Sequence, residues 1–256
     1  MEVNGAVGPD PDIVAEARRI LDHAAESSVP VRLVGGVAIH LHAAAPPPQA
    51  LSREFKDIDL VTERKAAKDV LSLLERIGYE PNQAFNAMNA GRRALFYDLG
   101  NERQLDVFIG SFEMCHELPI ADRLHLDTDT IPLAELMLTK LQIFALNEKD
   151  LLDIYRILID HDVDDHDSEA VNGEYIAELC AADWGLWRTT TLNIERARSG
   201  VGEVELDPNQ RQVLSERLEV LTARIEAKPK SRRWRMRDRV GDRVRWYQEP
   251  EEVDGE

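Results

Sequence analysis

The sequence predicts an α+β protein, with an N-terminal sheet flanked by helices and a C-terminal helical domain. Three observations predict it. Between Val31 and Ile109 short runs rich in Val, Ile and Leu alternate with amphipathic segments of helical length. From Pro132 onward apolar residues recur at helical spacing almost without a break. The 256 residues suffice to bury a substantial core in one large or two small domains. The expected divisions are residues 1–118, residues 119–227, and a basic then acidic tail over residues 228–256.

Each element has its own warrant. Met1 to Asp10 reads as a loose end, and Pro11 to Ser28 as a helix whose apolar face carries Ile13, Ala17, Ile20, Leu21 and Ala24. Val31 to Val34 is a strand that stops at Gly35-Gly36, and Val37 to Leu41 continues as a helix. A glycine turn at a helix start offers backbone N–H groups to an anion and lets a phosphate approach closely. Asp57-Ile58-Asp59-Leu60 is a second strand. Its two carboxylates project from one face, about 7 Å apart, while Ile58 and Leu60 enter the core; that spacing suits two carboxylates holding a divalent cation together.

A helix over Glu63 to Ile77 should stop at Gly78. Arg93 to Leu99 and Arg103 to Ile109, joined by Gly100-Asn101-Glu102, form a β-hairpin. Asp106 lies within its second apolar run, where a lone buried carboxylate is costly unless paired or metal-bound. A short strand is expected at Leu124 to Leu126, and helices near 133–147, 149–160, 172–183, 186–198 and 208–227. The first of these embeds Lys140-Leu141; on the second, Asp150 and Asp153 share a face. No internal repeat is present. Taken singly, each of these charges suits an ordinary surface helix or strand end; their order along one chain is what distinguishes them.

A strand, a glycine pair, a helix and then an Asp-x-Asp strand together resemble the opening of the polymerase-β-type nucleotidyltransferase superfamily. The later Lys140-Leu141 pair and the Lys149-Asp150-x-x-Asp153 run narrow the resemblance to the AbiEii/AbiGii-toxin-like branch. It covers roughly residues 30 to 160. The resemblance implies a nucleotidyltransferase-fold mixed sheet as the catalytic domain over 1–118, and a helical domain over 119–227 that completes the active cleft. It implies that Gly35 and Gly36 cradle the nucleotide phosphates and that Asp57, Asp59 and Asp106 bind Mg²⁺, two ions in all. Lys140 would contact phosphates, Lys149, Asp150 and Asp153 would line the cleft, and Asp150 is a candidate base. Two departures stand out: Ala43 to Pro48 lengthens the gap between motifs, and Gly36 replaces a frequent serine.

The activity so implied moves a nucleoside monophosphate from an NTP to an acceptor hydroxyl, with the 3′ end of tRNA or another RNA as preferred acceptor and an antitoxin protein as a candidate partner. Two other readings stay open: a catalytically silent regulator that binds nucleotide or a partner, and a small-molecule nucleotidyltransferase.

Composition sets the remaining bounds. No run approaches eighteen apolar residues, and the N-terminus has no basic-then-apolar leader, so a cytoplasmic chain with no membrane contact is expected. Cys115 and Cys180 are too few for a disulfide scaffold. The net charge of −17 is unevenly placed. Lys228 to Arg245 carries nine Lys or Arg against two Asp, a net +7, which leaves −24 for the rest. With Trp234 inside it and Trp246 and Tyr247 just beyond, this segment suits RNA phosphates and stacked bases, a basic tail folded back on an acidic body, or a solvated flexible end. Glu249 to Glu256 reads as disordered. Three features are set aside: His40-x-His42, whose rings face apart on a helix; Asp160 to Asp167, an acidic interhelical loop without a calcium-loop glycine; and Arg92-Arg93, read as solvated.

Overall fold

The computed structural model describes residues 8–43 and 45–249. Most of the loose N-terminal end, Ala44 of the inserted loop and nearly all of the acidic C-terminus therefore lie outside the described residues. The secondary structure is mixed α and β, and the chain divides into two compact units. Met1–Leu41, Glu54–Phe112 and Pro119–Ile131 make up the first; His42–Arg53, Glu113–Leu118 and Pro132–Glu256 make up the second.

The first unit is built on a five-stranded sheet. In chain order it contains α1 (Ile13–Glu26), β1 (Val31–Val34), α2 (Gly35–Leu41), β2 (Asp57–Thr62), α3 (Ala67–Arg76), β3 (Glu80–Pro81), α4 (Gln83–Met88), β4 (Arg93–Asp98) and β5 (Arg103–Ile109). The strand order is β1-β2-β5-β4-β3. β2 and β5 are parallel and the other pairs antiparallel, so the sheet is mixed. The hairpin turn is held by Asp98, whose Oδ1 accepts from the Gly100 and Asn101 N–H groups at 3.1 and 3.2 Å. Leu33 bonds across to Asp129 and Ile131, which covers the free edge of β1.

Alternation sorts the sheet into two faces. Leu33, Ile58, Leu60, Ala94, Phe96, Leu105 and Val107 share one, and all are buried. α1 begins at Asp12, whose side chain accepts from the Val14 and Ala15 N–H groups. Its Glu16 is fully buried, accepting from the Tyr79 hydroxyl at 2.6 Å and from Arg19 at 2.7 Å. Burial first, and then the bond to Glu16, push the Tyr79 phenol well above its ordinary value. Helix α3 ends before Gly78, whose φ of +107° only glycine adopts at little cost.

Phe112–Glu113 (β6) and Glu117–Leu118 (β7) pair as a short ribbon. The second unit then comprises α5 (Leu133–Leu141), α6 (Glu148–Asp160), β8 (Asp162–Asp164), β9 (Ala170–Asn172), α7 (Gly173–Ala182), α8 (Trp184–Gly200), α9 (Pro208–Ala227) and α10 (Arg232–Val240). Helix α9 starts on a capping box formed by Asp207 and Gln210. Tyr155 of α6, fully buried, donates its hydroxyl to the Ala197 carbonyl of α8 at 2.6 Å. Cys115 and Cys180 are free and buried, and burial pushes the Cys180 thiol up to about 12.

Several expected elements differ. The helix over 133–147 stops at Leu141, because the next carbonyls are taken by tertiary partners: Asn193 Nδ2 donates to Leu141 and Ile143 at 2.9 and 2.7 Å, and Arg196 donates to Phe144. Leu124–Leu126 is not a strand but the end of a 3-10 turn over Ala121–Leu126, whose Leu124 carbonyl accepts from Arg32. The acidic stretch after α6 is not all loop: Asp162–Asp164 pairs in parallel with Ala170–Asn172. The helix expected from Glu63 opens as a 3-10 turn and becomes α-helical at Ala67. β3, α4, the β6–β7 ribbon and α10, which lies in the expected tail, carried no recognised signal in the sequence.

The early end of α5 makes Asn193 critical. It is 1% exposed, and its amide satisfies two otherwise orphaned carbonyls. Asn193→Ala is expected to cost about 2–3 kcal/mol, read as a lower urea midpoint with an unchanged slope.

Candidate functional site

The polar face of the first unit's sheet collects the motif residues. Asp59 pairs with Asp106 in the parallel register of β2 and β5, and Asp57 with Gln104. Residues paired this way point to the same side, so Asp57, Asp59, Gln104 and Asp106 share one face. Exposure falls from Asp57, which is exposed, through Asp59, which is intermediate, to Asp106 at 4%.

Asp106 has direct partners there. Its Oδ1 accepts from Arg93 Nε at 2.7 Å and its Oδ2 from Gln104 Nε2 at 3.0 Å. The Arg93 guanidinium also lies 5.1 Å from the Phe108 ring centre and 5.6 Å from that of Phe85. Burial of the carboxylate is thereby offset by an ion pair. Arg93 was read as solvated, and the structure corrects this. Hairpin register was the signal that could have found it: Arg93 is diagonal to Asp106 on the same face.

The glycine turn meets the same face. Gly35 has a φ of +77°, and a Cβ there would lie 2.3 Å from Asp59 Oδ2. Asp59 thus sits directly on the Gly35 backbone at the start of α2, and only glycine permits both the torsion and the approach. Gly36 follows in the first turn of α2.

Carboxylate oxygens of this kind are the ligands that a hard cation such as Mg²⁺ takes. Among the described residues, however, no three His, Cys, Asp or Glu side chains are gathered closely enough to hold a metal ion. The donor chemistry suits Mg²⁺, while Asp106 is engaged by Arg93 and Gln104.

Lys140, Asp150 and Asp153 come together within the second unit. Lys140 Nζ, on α5, lies 3.1 Å from Asp150 Oδ1 and 3.0 Å from Asp153 Oδ2, both on α6. Arg53 completes the group with a two-pronged bond to Asp153, at 2.9 Å from Nε and 2.8 Å from Nη2. Asn147 caps α6 by accepting from the Asp150 N–H. Burial pulls the Lys140 ammonium down, but Asp153 and Asp150 outweigh it and hold its pKa above the ordinary lysine value. Lys149 is exposed on α6 and stands outside this cluster. No pattern in the sequence pointed to Arg53, eighty-seven residues before Lys140.

The segment Ala43 to Pro48 leads into a turn over Gln49–Leu51 that belongs to the second unit. Arg156 donates to the Ala45 carbonyl, and the His161 ring bonds to the His42 carbonyl at 3.0 Å. His40 instead packs edge-on against Phe55.

The rings of the basic segment are structural. Trp234 is 7% exposed and donates to the Cys180 carbonyl at 3.0 Å; Trp246 donates to Thr189 at 3.0 Å; Tyr247 stacks on Phe144 at 3.8 Å. Each ring has a partner within the second unit; of the three, Trp234 is buried, and Trp246 and Tyr247 are half-buried.

Two predictions arise here. Gly35→Ala is expected to destabilise the chain by about 2–4 kcal/mol, combining a left-handed torsion with the clash against Asp59. Adding Asp59→Ala should recover part of the loss in the same urea titration. For the second cluster, Lys140→Ala should cost about 3 kcal/mol by leaving buried carboxylates short of a cation. Because the Lys140 pKa is raised in the fold, its contribution is complete below the ordinary lysine value of 10.5 and is lost only as pH rises through the higher folded value. The difference between wild type and variant should therefore be flat from pH 6 to 9.

No family model matches this chain, and no curated protein sequence matches it significantly.

Proposed function

We propose that the chain is a Mg²⁺-dependent nucleotidyltransferase that moves an NMP from an NTP to an acceptor hydroxyl, with an RNA 3′ end as the preferred acceptor. One observation carries this reading: Asp57, Asp59 and Asp106 share one face of adjacent parallel strands, with Asp59 seated on a glycine turn that tolerates no side chain. This agrees with the resemblance of the motif order to nucleotidyltransferases.

Asp57 and Asp59, with Asp106, would hold the metal. Mg²⁺ bound there supplies charge neutralisation for the triphosphate and activation of the attacking oxygen. The acceptor oxygen forms a bond to the α-phosphorus, the bond to the β-phosphate oxygen breaks, and pyrophosphate leaves. The Gly35-Gly36 backbone would admit a phosphate at close range, and fixed positioning of the reacting groups would provide much of the acceleration. The resemblance gives Lys140 a phosphate contact, Asp150 the role of base and Asp153 a place lining the cleft; Lys149, exposed on α6, stands outside their cluster. The pairing of Lys140 to both aspartates supports a charged ammonium in that role.

Engagement of Asp106 by Arg93 favours one alternative, a protein that binds nucleotide or a partner without turnover. Incubation with α-labelled NTPs, Mg²⁺ and total RNA separates the two. Label transfer that falls at least a hundredfold in Asp57→Ala and Asp59→Ala supports the enzyme. NTP binding with no transfer to RNA or small hydroxyl acceptors overturns it in favour of the silent reading.

A further inference from the structure

We infer that the outer face of α10 is a binding surface for the phosphate backbone of RNA. The basic segment divides into two groups of cations. Lys228 pairs with Glu174 and Glu178, and Arg245 with Glu249. Lys230 lies 5.9 Å from the Trp234 ring centre, and Arg237 lies 4.3 Å from that of Trp184 while donating to the Gly241 and Val244 carbonyls. All four are engaged by partners of the chain itself. Arg232, Arg233, Arg235, Arg239 and Arg243 are exposed and have no acidic or ring partner among the described residues. The segment's own acids are also taken: Asp238 accepts from Trp184 Nε1 at 2.7 Å, and Asp242 pairs with Arg188 at 2.7 Å. Among the described residues these five arginines therefore present positive charge without an acidic partner, on a chain whose remainder carries −24.

The placement is regular. Ser231 caps α10 through the Trp234 N–H, and Trp234 buries the inner side of the helix. At 100° per residue, Arg232, Arg235 and Arg239 fall in one row on the side away from Trp234. Guanidinium groups in a row suit successive phosphates, which they bind in two-pronged fashion. A membrane surface fits less well, because a surface-lying helix needs a broad apolar side for lipid, and with Trp234 buried α10 exposes only Met236 and Val240 as large apolar side chains. With Trp234 buried, Trp246 bonded to Thr189 and Tyr247 stacked on Phe144, contact falls mainly to phosphates, and the surface should bind strands with little regard to sequence.

The inference deepens the proposed function by naming where an RNA acceptor is held, and it rests on that reading only for the word acceptor. Its test reads binding, so its failure is distinguishable from failure of transfer. Fluorescence anisotropy of the full chain with a labelled single-stranded RNA oligonucleotide is compared with Arg232→Gln/Arg235→Gln/Arg239→Gln and with the exposed control Arg18→Gln. Unchanged tryptophan emission, reporting buried Trp234, verifies the fold of the triple variant; single Gln variants, each expected to show part of the loss, serve if it fails. The triple variant should bind about tenfold more weakly and its log–log salt slope should flatten by about 2, while Arg18→Gln matches wild type. Equal binding by wild type and triple variant overturns the inference. So does absence of salt-dependent RNA binding, or an effect of the triple variant confined to phosphatidylserine vesicles or polyglutamate.

Discussion

Asp106 imposes the strictest demand in the first unit. Its carboxylate lies in a strand between Leu105 and Val107 and is almost fully buried, so it must be compensated where it stands. Arg93 does so from the neighbouring strand, steadied by the rings of Phe85 and Phe108, and Gln104 takes the second oxygen. That solution requires the hairpin register that sets Arg93 diagonal to Asp106 and the parallel register that sets Asp59 beside it. A slip of one residue in either strand would turn the charges into the apolar face. The polar face, the seat of Asp59 on Gly35 and the candidate metal ligands all depend on the same alignment.

A comparable constraint organises part of the second unit. Two carboxylates, Asp150 and Asp153, are balanced by two cations, Lys140 and Arg53, in a group with little access to water. Such a cluster stabilises by geometry more than by net attraction, since desolvating each charge costs several kcal/mol. It also ties the segment ending at Arg53 to α5 and α6, which follow one another much later in the sequence. The break after α5 is fixed similarly, by Asn193 and Arg196 reaching carbonyls that helical bonding would otherwise satisfy.

Much of this was legible beforehand. The strand at Val31–Val34, the glycine turn, the Asp57 strand, the hairpin and the helices after Pro132 follow from local periodicity and turn chemistry, which act over a few residues. Less was legible at the site. Arg93 was discounted because an arginine at a strand end is usually hydrated, and only the pairing of β4 with β5 reveals its partner. Arg53 carried no signal because its role comes from a contact a hundred residues away, to Asp153.

The basic segment shows the same division. Composition alone established that positive charge is concentrated between Lys228 and Arg245 on an otherwise acidic chain. It could not sort solvent-facing arginines from those held by rings and carbonyls, because that depends on which side of a helix meets Trp184 and which meets water. By itself the sequence determined the mixed α and β class, the order of its main elements and the charged residues present. Tertiary structure alone decided which charges are paired, since ion pairs form between strands and helices brought together by burying their apolar faces.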